Sequence, residues 1–178
     1  LRHPRPMPTP RPLGPLALAV FVCGCAHEVA DVEPWPEADA LFRSDPHWLG
    51  GDAVYAVPLD STRILWLFGD SFVALDGRRD RRTATMVRNS IAVQEGRAPS
   101  DARIAFHWGT TPEGGAAAFF ADADGHGFWP LHGHRVPGGP LYLFQTLVRN
   151  TPGVGLGFAI DGARLVRVDD PDRDPRTW

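Results

Sequence analysis

The stretch GGDAVYAVPLDSTRILWLFGDSF constrains the fold of this chain more than any other. Two apolar runs flank a short polar turn, and a hairpin centred on Ser61 sets Ala56 opposite Trp66, Val54 opposite Phe68 and Asp52 opposite Asp70. Side chains alternate along a strand, so Val54, Ala56, Trp66 and Phe68 share one face and Tyr55, Val57, Leu65 and Leu67 the other. Both faces are apolar. Such a sheet has to be covered on both sides. Like charges directly opposed on a ladder are destabilising, so the placement of Asp52 against Asp70 calls for compensation. One reading is a site that uses two carboxylates, as glycoside hydrolysis does. The other is a pair of strand-end aspartates beside Gly51 and Gly69, each accepting hydrogen bonds from nearby amides.

The rest of the chain reads as short strands. With 19 glycines and 18 prolines among 178 residues, nearly every window of helical length from about Trp35 onward is interrupted, and no amphipathic helix is expected there. Strands are expected at Ala53 to Pro58, Arg63 to Gly69, Ser90 to Gln94, Arg103 to Trp108, Gly133 to Val136, Leu141 to Val148, Gly155 to Ile160 and Arg164 to Val168. Asp161-Gly162 and Gly138-Gly139 are expected as hairpin turns, because glycine reaches positive φ without strain. The run LWLF at Leu65 to Phe68 recurs as LYLF at Leu141 to Phe144, each copy followed by an apolar third strand, SIAV in the first and GFAI in the second. The charged loop Arg78 to Thr85 is an insertion in the first copy. Repeated sheets with two buried faces suggest an all-β chain built of propeller blades, of which about two are present. A ring needs about 4–8 blades, so the expectation is the N-terminal portion of a longer propeller, with a small complete sandwich as the alternative.

The N-terminal segment is of another kind. Arg2, Arg5 and Arg11 precede the apolar run LGPLALAVFV, which is short for a membrane span and suited to a secretory signal. Gly24 before Cys25 matches a lipoprotein signal cut ahead of a lipidated cysteine, and a plain secretory signal is the alternative. This gives a signal over 1–24, a proline-bearing acidic tether over 25–36 and the folded domain over 37–178, exported to the cell envelope and touching a membrane only through its N-terminal lipid. Both cysteines, Cys23 and Cys25, lie ahead of the folded domain, so the domain must be held by packing. Cleavage removes three arginines and no acid, making the net charge more negative than −3. An acidic domain without a basic run argues against nucleic acid as partner.

Together GGDAVYAVPLDSTRILWLFGDSF, MVRNSIAVQ, FWPLHG and LYLFQ resemble the N-terminal half of secreted bacterial five-bladed propellers grouped as a domain of unknown function, which include the endo-D-arabinanases. The resemblance runs from about Trp35 to Pro171. It implies a five-bladed β-propeller fold, Asp52 and Asp70 as the acidic pair of the active site, and Arg88, Asn89 and Ser90 beside them at the entry to the third strand. The second repeat has Thr146 where the first has Asp70, and on a Gly138-Gly139 turn Leu131 would face it, so the acids are not repeated. That favours a role other than holding the blade.

Trp48, Trp129 and His132 are candidate sugar contacts, since aromatic faces stack on sugar rings, although tryptophans more often pack in cores. His132 and His134 share a strand face, but with no third ligand in view no metal or other cofactor is expected. Arg78 to Arg82 would attract anionic polymers, or form a solvated loop. These expectations converge on an exported glycoside hydrolase-like protein acting on arabinan or a related furanoside polysaccharide. The competing expectations are a non-catalytic carbohydrate-binding surface lipoprotein, an inactive truncated propeller and an interaction module without a sugar ligand.

Overall fold

The opening hairpin pairs as its pattern requires. In the computed structural model, which describes residues 32–178, β2 (Tyr55–Pro58) runs antiparallel to β3 (Arg63–Phe68), with Ala56 opposite Trp66 and Tyr55 opposite Leu67. The signal-like segment with Cys25 and the start of the tether lie outside the described residues. β3 pairs next with β6 (Ser90–Glu95), and β6 with β7 (Arg103–His107), giving a four-stranded antiparallel sheet in the order β2-β3-β6-β7.

Both faces of this sheet are covered. Val57, Leu65, Leu67 and Ile91 pack on Leu141, Leu143 and Val168 of a second sheet, made of β10 (Gly127–Arg135), β11 (Leu141–Asn150) and β12 (Phe158–Val168). Gly133 permits the approach of β10: a Cβ there would sit 2.6 Å from Leu143 Cδ2 and 3.3 Å from Val57 Cγ2. Gly133→Val is expected to cost about 1–3 kcal/mol by overpacking, read as a lower urea midpoint. On the opposite face Phe68, Ala92 and Phe106 pack with Trp48, Phe42 and Trp66.

Phe42 ends α1 (Pro36–Phe42), a helix the sequence pattern did not reveal. Pro36 opens it, Glu37 and Asp39 lie in its first turn, and Leu41 is its buried residue. Seven residues are too few to display a 3.6-residue period.

Three short strands were also unforeseen. β1 (Trp48–Gly51), β4 (Ser71–Val73) and β5 (Thr85–Val87) form a sheet in the order β1-β4-β5. Their pairing continues that of the larger sheet, because Gly51 faces Ser71 as Tyr55 faces Leu67, and Ser71 faces Val87 in the frame that sets Phe68 against Ser90. Three long strands therefore bend together at one corner, crossing it at Asp52, at Gly69-Asp70 and at Arg88-Asn89. The small pair β8 (Gly109–Thr110) and β9 (Ala116–Ala117) lies beyond β7.

Two expectations about the second sheet are corrected. Asp161-Gly162 is not a turn: β12 runs through it as one strand, with a bulge opposite Leu147-Val148 and Gly162 at φ 147°. A glycine at positive φ serves a bulge as well as a hairpin. Consequently the segment facing LYLF is Leu165 to Val168, not GFAI, and Phe158 to Ile160 pairs with Val148 to Asn150. Thr146 faces Trp129, not Leu131, because a second bulge lies between Pro130 and His132. The Gly138-Gly139 turn is present, with Gly139 N–H donating to Val136 O at 2.8 Å. Residues Trp35 to Trp178 form one compact unit, all-β apart from α1 and a final 3-10 turn at Pro175–Thr177.

Candidate functional site

The corner at which the strands bend gathers the sequence-predicted residues. Asp52 N–H donates to Asp70 O at 3.1 Å, and Gly69 N–H to Asp52 O at 2.9 Å, so the two aspartates face each other where the ladder loosens. Ala53 follows at φ 48°, a left-handed conformation that turns the chain into β2. Gly69 makes room for the acid opposite: a Cβ there would lie 2.3 Å from Asp52 Oδ1, so that carboxylate occupies the place of a side chain.

Beneath the corner runs a chain of buried donors. Ser71 Oγ–H donates to Gly69 O at 2.8 Å, which leaves Ser90 to donate to Ser71 Oγ at 2.8 Å while accepting Trp48 Nε1–H at 3.0 Å. Each hydroxyl proton has one assignment. Trp48 stacks on Phe106 at 4.2 Å and is 5% exposed, so its ring is in the core and cannot meet a sugar. Ser90 and Asn89 are fully buried as well. Asn89 Oδ1 accepts Phe120 N–H at 2.7 Å, and its amide donates to Phe128 O at 2.8 Å and Phe120 O at 3.2 Å. These three buried residues form the frame of the corner.

Asp70 is half-buried and its Oδ1 accepts Trp129 Nε1–H at 2.9 Å. Trp129 therefore touches the acid pair through an indole donor, with its ring edge-on to Phe158 at 4.9 Å. Two clefts meet at Asp70. One, of about 440 Å³, is lined by Gly51, Asp52, Phe72, Arg81 and Met86; the other, of about 390 Å³, by Met86, Arg88, Ala117 and Asp122. His132 lines neither cleft and lies against Tyr55, with near-parallel rings 6.4 Å apart.

Sequence reasoning offered Arg81 only as part of the Arg78 to Arg82 loop that would attract anionic polymers, and assigned no site role to Met86 or the pair His126-Asp161. His126 Nε2 lies 3.0 Å from Asp161 Oδ2, which also accepts Arg149 Nε–H at 2.6 Å. Asp161 projects from the β12 bulge, a placement hidden while Asp161-Gly162 reads as a turn. Among the described residues no cluster of three His, Cys, Asp or Glu side chains is placed to hold a metal.

A larger cavity, about 860 Å³, lies elsewhere, lined by Trp108, Phe119, Phe120 and Trp178. Its arginines are already paired: Arg167 with Asp169, Arg173 with Asp170 and Arg176 with Asp174. Size alone does not make it the site, since the aspartates that line it, Asp169 and Asp170, are each paired with an arginine.

The electrostatics single out Asp52. Burial and then the charge of Asp70 hold its carboxyl above the ordinary 3.8, against backbone hydrogen bonds from Asp70 and Asp52 that act the other way. The folded chain thus keeps a proton on Asp52 to higher pH than the unfolded chain does. The contribution to stability is complete below 3.8 and is lost as pH rises through the raised value. Asp52→Asn, which carries no such charge, is expected to melt above the parent at pH 7, the difference closing once the pH falls below 3.8 in a calorimetric series.

A family model described as a domain of unknown function (DUF5005) matches residues 37–176. No curated protein matches the chain. Among solved structures, a candidate hydrolase from Bacteroides ovatus ATCC 8483 superposes with a TM-score of 0.59 at 20% identity, over 79% of this chain. The chain spans 39% of that protein, and at this identity the likeness is one of fold.

Proposed function

This chain belongs to the DUF5005 family, and from that premise we propose that it is part of an exported β-propeller glycosidase whose corner carboxylates cleave arabinan or a related furanoside polymer. The observation that carries the reading is Asp52 facing Asp70 with its proton held to higher pH by burial and by that neighbour's charge. A carboxyl of this kind suits the general acid that protonates a leaving glycosidic oxygen. Asp70, with its Oδ1 accepting the Trp129 indole proton, is oriented to act as base on water or as nucleophile. Backbone bonds between the opposed residues keep the pair close, and the two clefts give a polymer a path past both acids. The Bacteroides ovatus protein of similar fold is described as a candidate hydrolase, which accords with this chemistry. The two-sheet packing and the LWLF/LYLF repeat support blades of a five-bladed ring, and Gly24-Cys25 supports envelope attachment through lipidated Cys25.

The test is release of reducing ends from arabinan by the parent, Asp52→Asn and Asp70→Asn chains, with arabinan retention on affinity gels as a second readout. Cleavage by the parent, lost in both variants while retention persists, supports the proposal. Retention without cleavage by the parent would make the chain a binding protein.

A further inference from the structure

Two arginines, Arg88 and Arg81, line the clefts that meet at Asp70, and neither has a carboxylate partner among the described residues. Arg63, Arg82, Arg149 and Arg176 each bind an aspartate directly. Arg88 does not. Its stem lies against Gly127, where a Cβ would come within 2.1 Å of Arg88 Cδ, and Nη2 donates to the neutral Asn150 Oδ1 at 2.8 Å. That contact fixes the guanidinium on the wall of the cleft beside Asp70 and leaves most of its five N–H donors unused. Arg81 stands on the other side, its Cζ 3.9 Å over the Phe72 ring, in the cleft that holds Asp52 and Asp70. Neither forms an ion pair with those aspartates, nor Arg88 with Asp122 across its cleft. In a chain with an excess of acids over bases, two guanidinium groups held by an amide and an aromatic ring are positioned for an anion that arrives from outside.

We infer that the polymer entering this site is an acidic glycan, whose carboxylate or sulfate groups on either side of the cleaved bond are bound by Arg88 and Arg81. The inference rests on the glycan-cleaving reading of the same corner and, within it, selects a furanoside polymer that carries acidic groups over neutral arabinan. A neutral glycan would leave both guanidinium groups solvated, whereas an anionic one gains charge-assisted, bidentate hydrogen bonds at two points along its length. Those points also set the register of the chain past Asp52 and Asp70.

The experiment is affinity electrophoresis of the purified full chain and of Arg81→Gln, Arg88→Gln and the double variant. The gels contain polygalacturonate, the same polymer fully methyl-esterified, dextran sulfate, plain dextran or arabinan. The expected result is retention by a charged polymer and not by its neutral counterpart. Each single variant should weaken it about tenfold and raised salt should weaken it further. Polygalacturonate and dextran sulfate distinguish carboxylate from sulfate as the recognised group. Equal retention by charged and neutral members of a pair, or charged-polymer retention unchanged in the double variant, overturns the inference. Retention by arabinan alone overturns it while leaving the glycan site standing. Retention by none of the polymers, with no cleavage of any, removes both. Unfolding midpoints of the variants identify any loss that is merely structural, and Arg88→Lys, which keeps the charge without the bidentate fork, should recover part of the binding.

Discussion

On the proposed glycosidase reading, Asp70→Asn is expected to lower glycan cleavage by roughly 10²–10⁴-fold, the range spanned by a positioned acid or base. The substitution is close to isosteric, and an asparagine Oδ1 can still accept the Trp129 indole proton, so the half-buried side chain keeps its place and the strands their pairing. What is lost is the charge. Two consequences follow, and they can be measured separately. Reducing-end release falls because no carboxylate remains to activate water or attack the anomeric carbon. Asp52 also loses the neighbour that helps to hold its carboxyl above 3.8, so its titration, followed by carboxyl-carbon NMR, moves down toward the ordinary value. A variant that cleaves at the parent rate would refute the catalytic assignment. One that loses cleavage without shifting Asp52 would show that the two acids do not share a field.

Trp129 connects the two repeats to this chemistry. It occupies on β10 the place that Asp52 has on the first hairpin, facing Thr146 as Asp52 faces Asp70. The second copy thus supplies an indole donor where the first supplies an acid, and the donor reaches across to Asp70. A site assembled from non-equivalent positions of two similar sheets explains why the acids need not repeat.

The pairing of Asp52 with Asp70 was legible because two apolar runs flank a short turn centred on Ser61, and the turn fixes the register of a hairpin. Cover on both sides followed from the same pattern. The corner was not legible. It depends on WLGG, SFV and TMV, strands of three or four residues whose partners lie across the bend, and runs that short carry no periodic signal. The bulges at Pro130/His132 and at Leu147/Val148 were hidden for a related reason. A bulge is a disagreement between two strands about length, and neither strand shows it alone. Hence Trp129 displaced Leu131 opposite Thr146, and Asp161 changed from a turn residue into a side chain bonded to His126 and Arg149. Trp48, Asn89 and Ser90 lie at the corner and are buried there, which residue type alone does not reveal. Chemistry-bearing residue types near a site are as often its frame as its contacts, and only packing distinguishes them.

Asn89 shows how much that frame matters. Its fully buried amide binds Phe120 N–H, Phe120 O and Phe128 O, while Asn89 O accepts Phe119 N–H, so one side chain fastens the segment before β10 to the start of β6. Asn89→Leu, of similar volume, would leave the buried Phe128 O and the part-buried Phe120 N–H and O without their side-chain partner. At about 1–3 kcal/mol for each unsatisfied group, the expected loss is on the order of 4 kcal/mol, enough to unfold a marginal domain. Asn89→Asp separates the amide's two functions, since its carboxylate can accept from Phe120 N–H but has no N–H for the two carbonyls, so it should fall between parent and leucine. Urea titration of the three chains gives the order. If Asn89→Leu instead unfolds at the parent midpoint, the loop carrying Phe119 and Phe120 is held by other means, and Asn89 would be free to turn toward the cleft as the family resemblance implies.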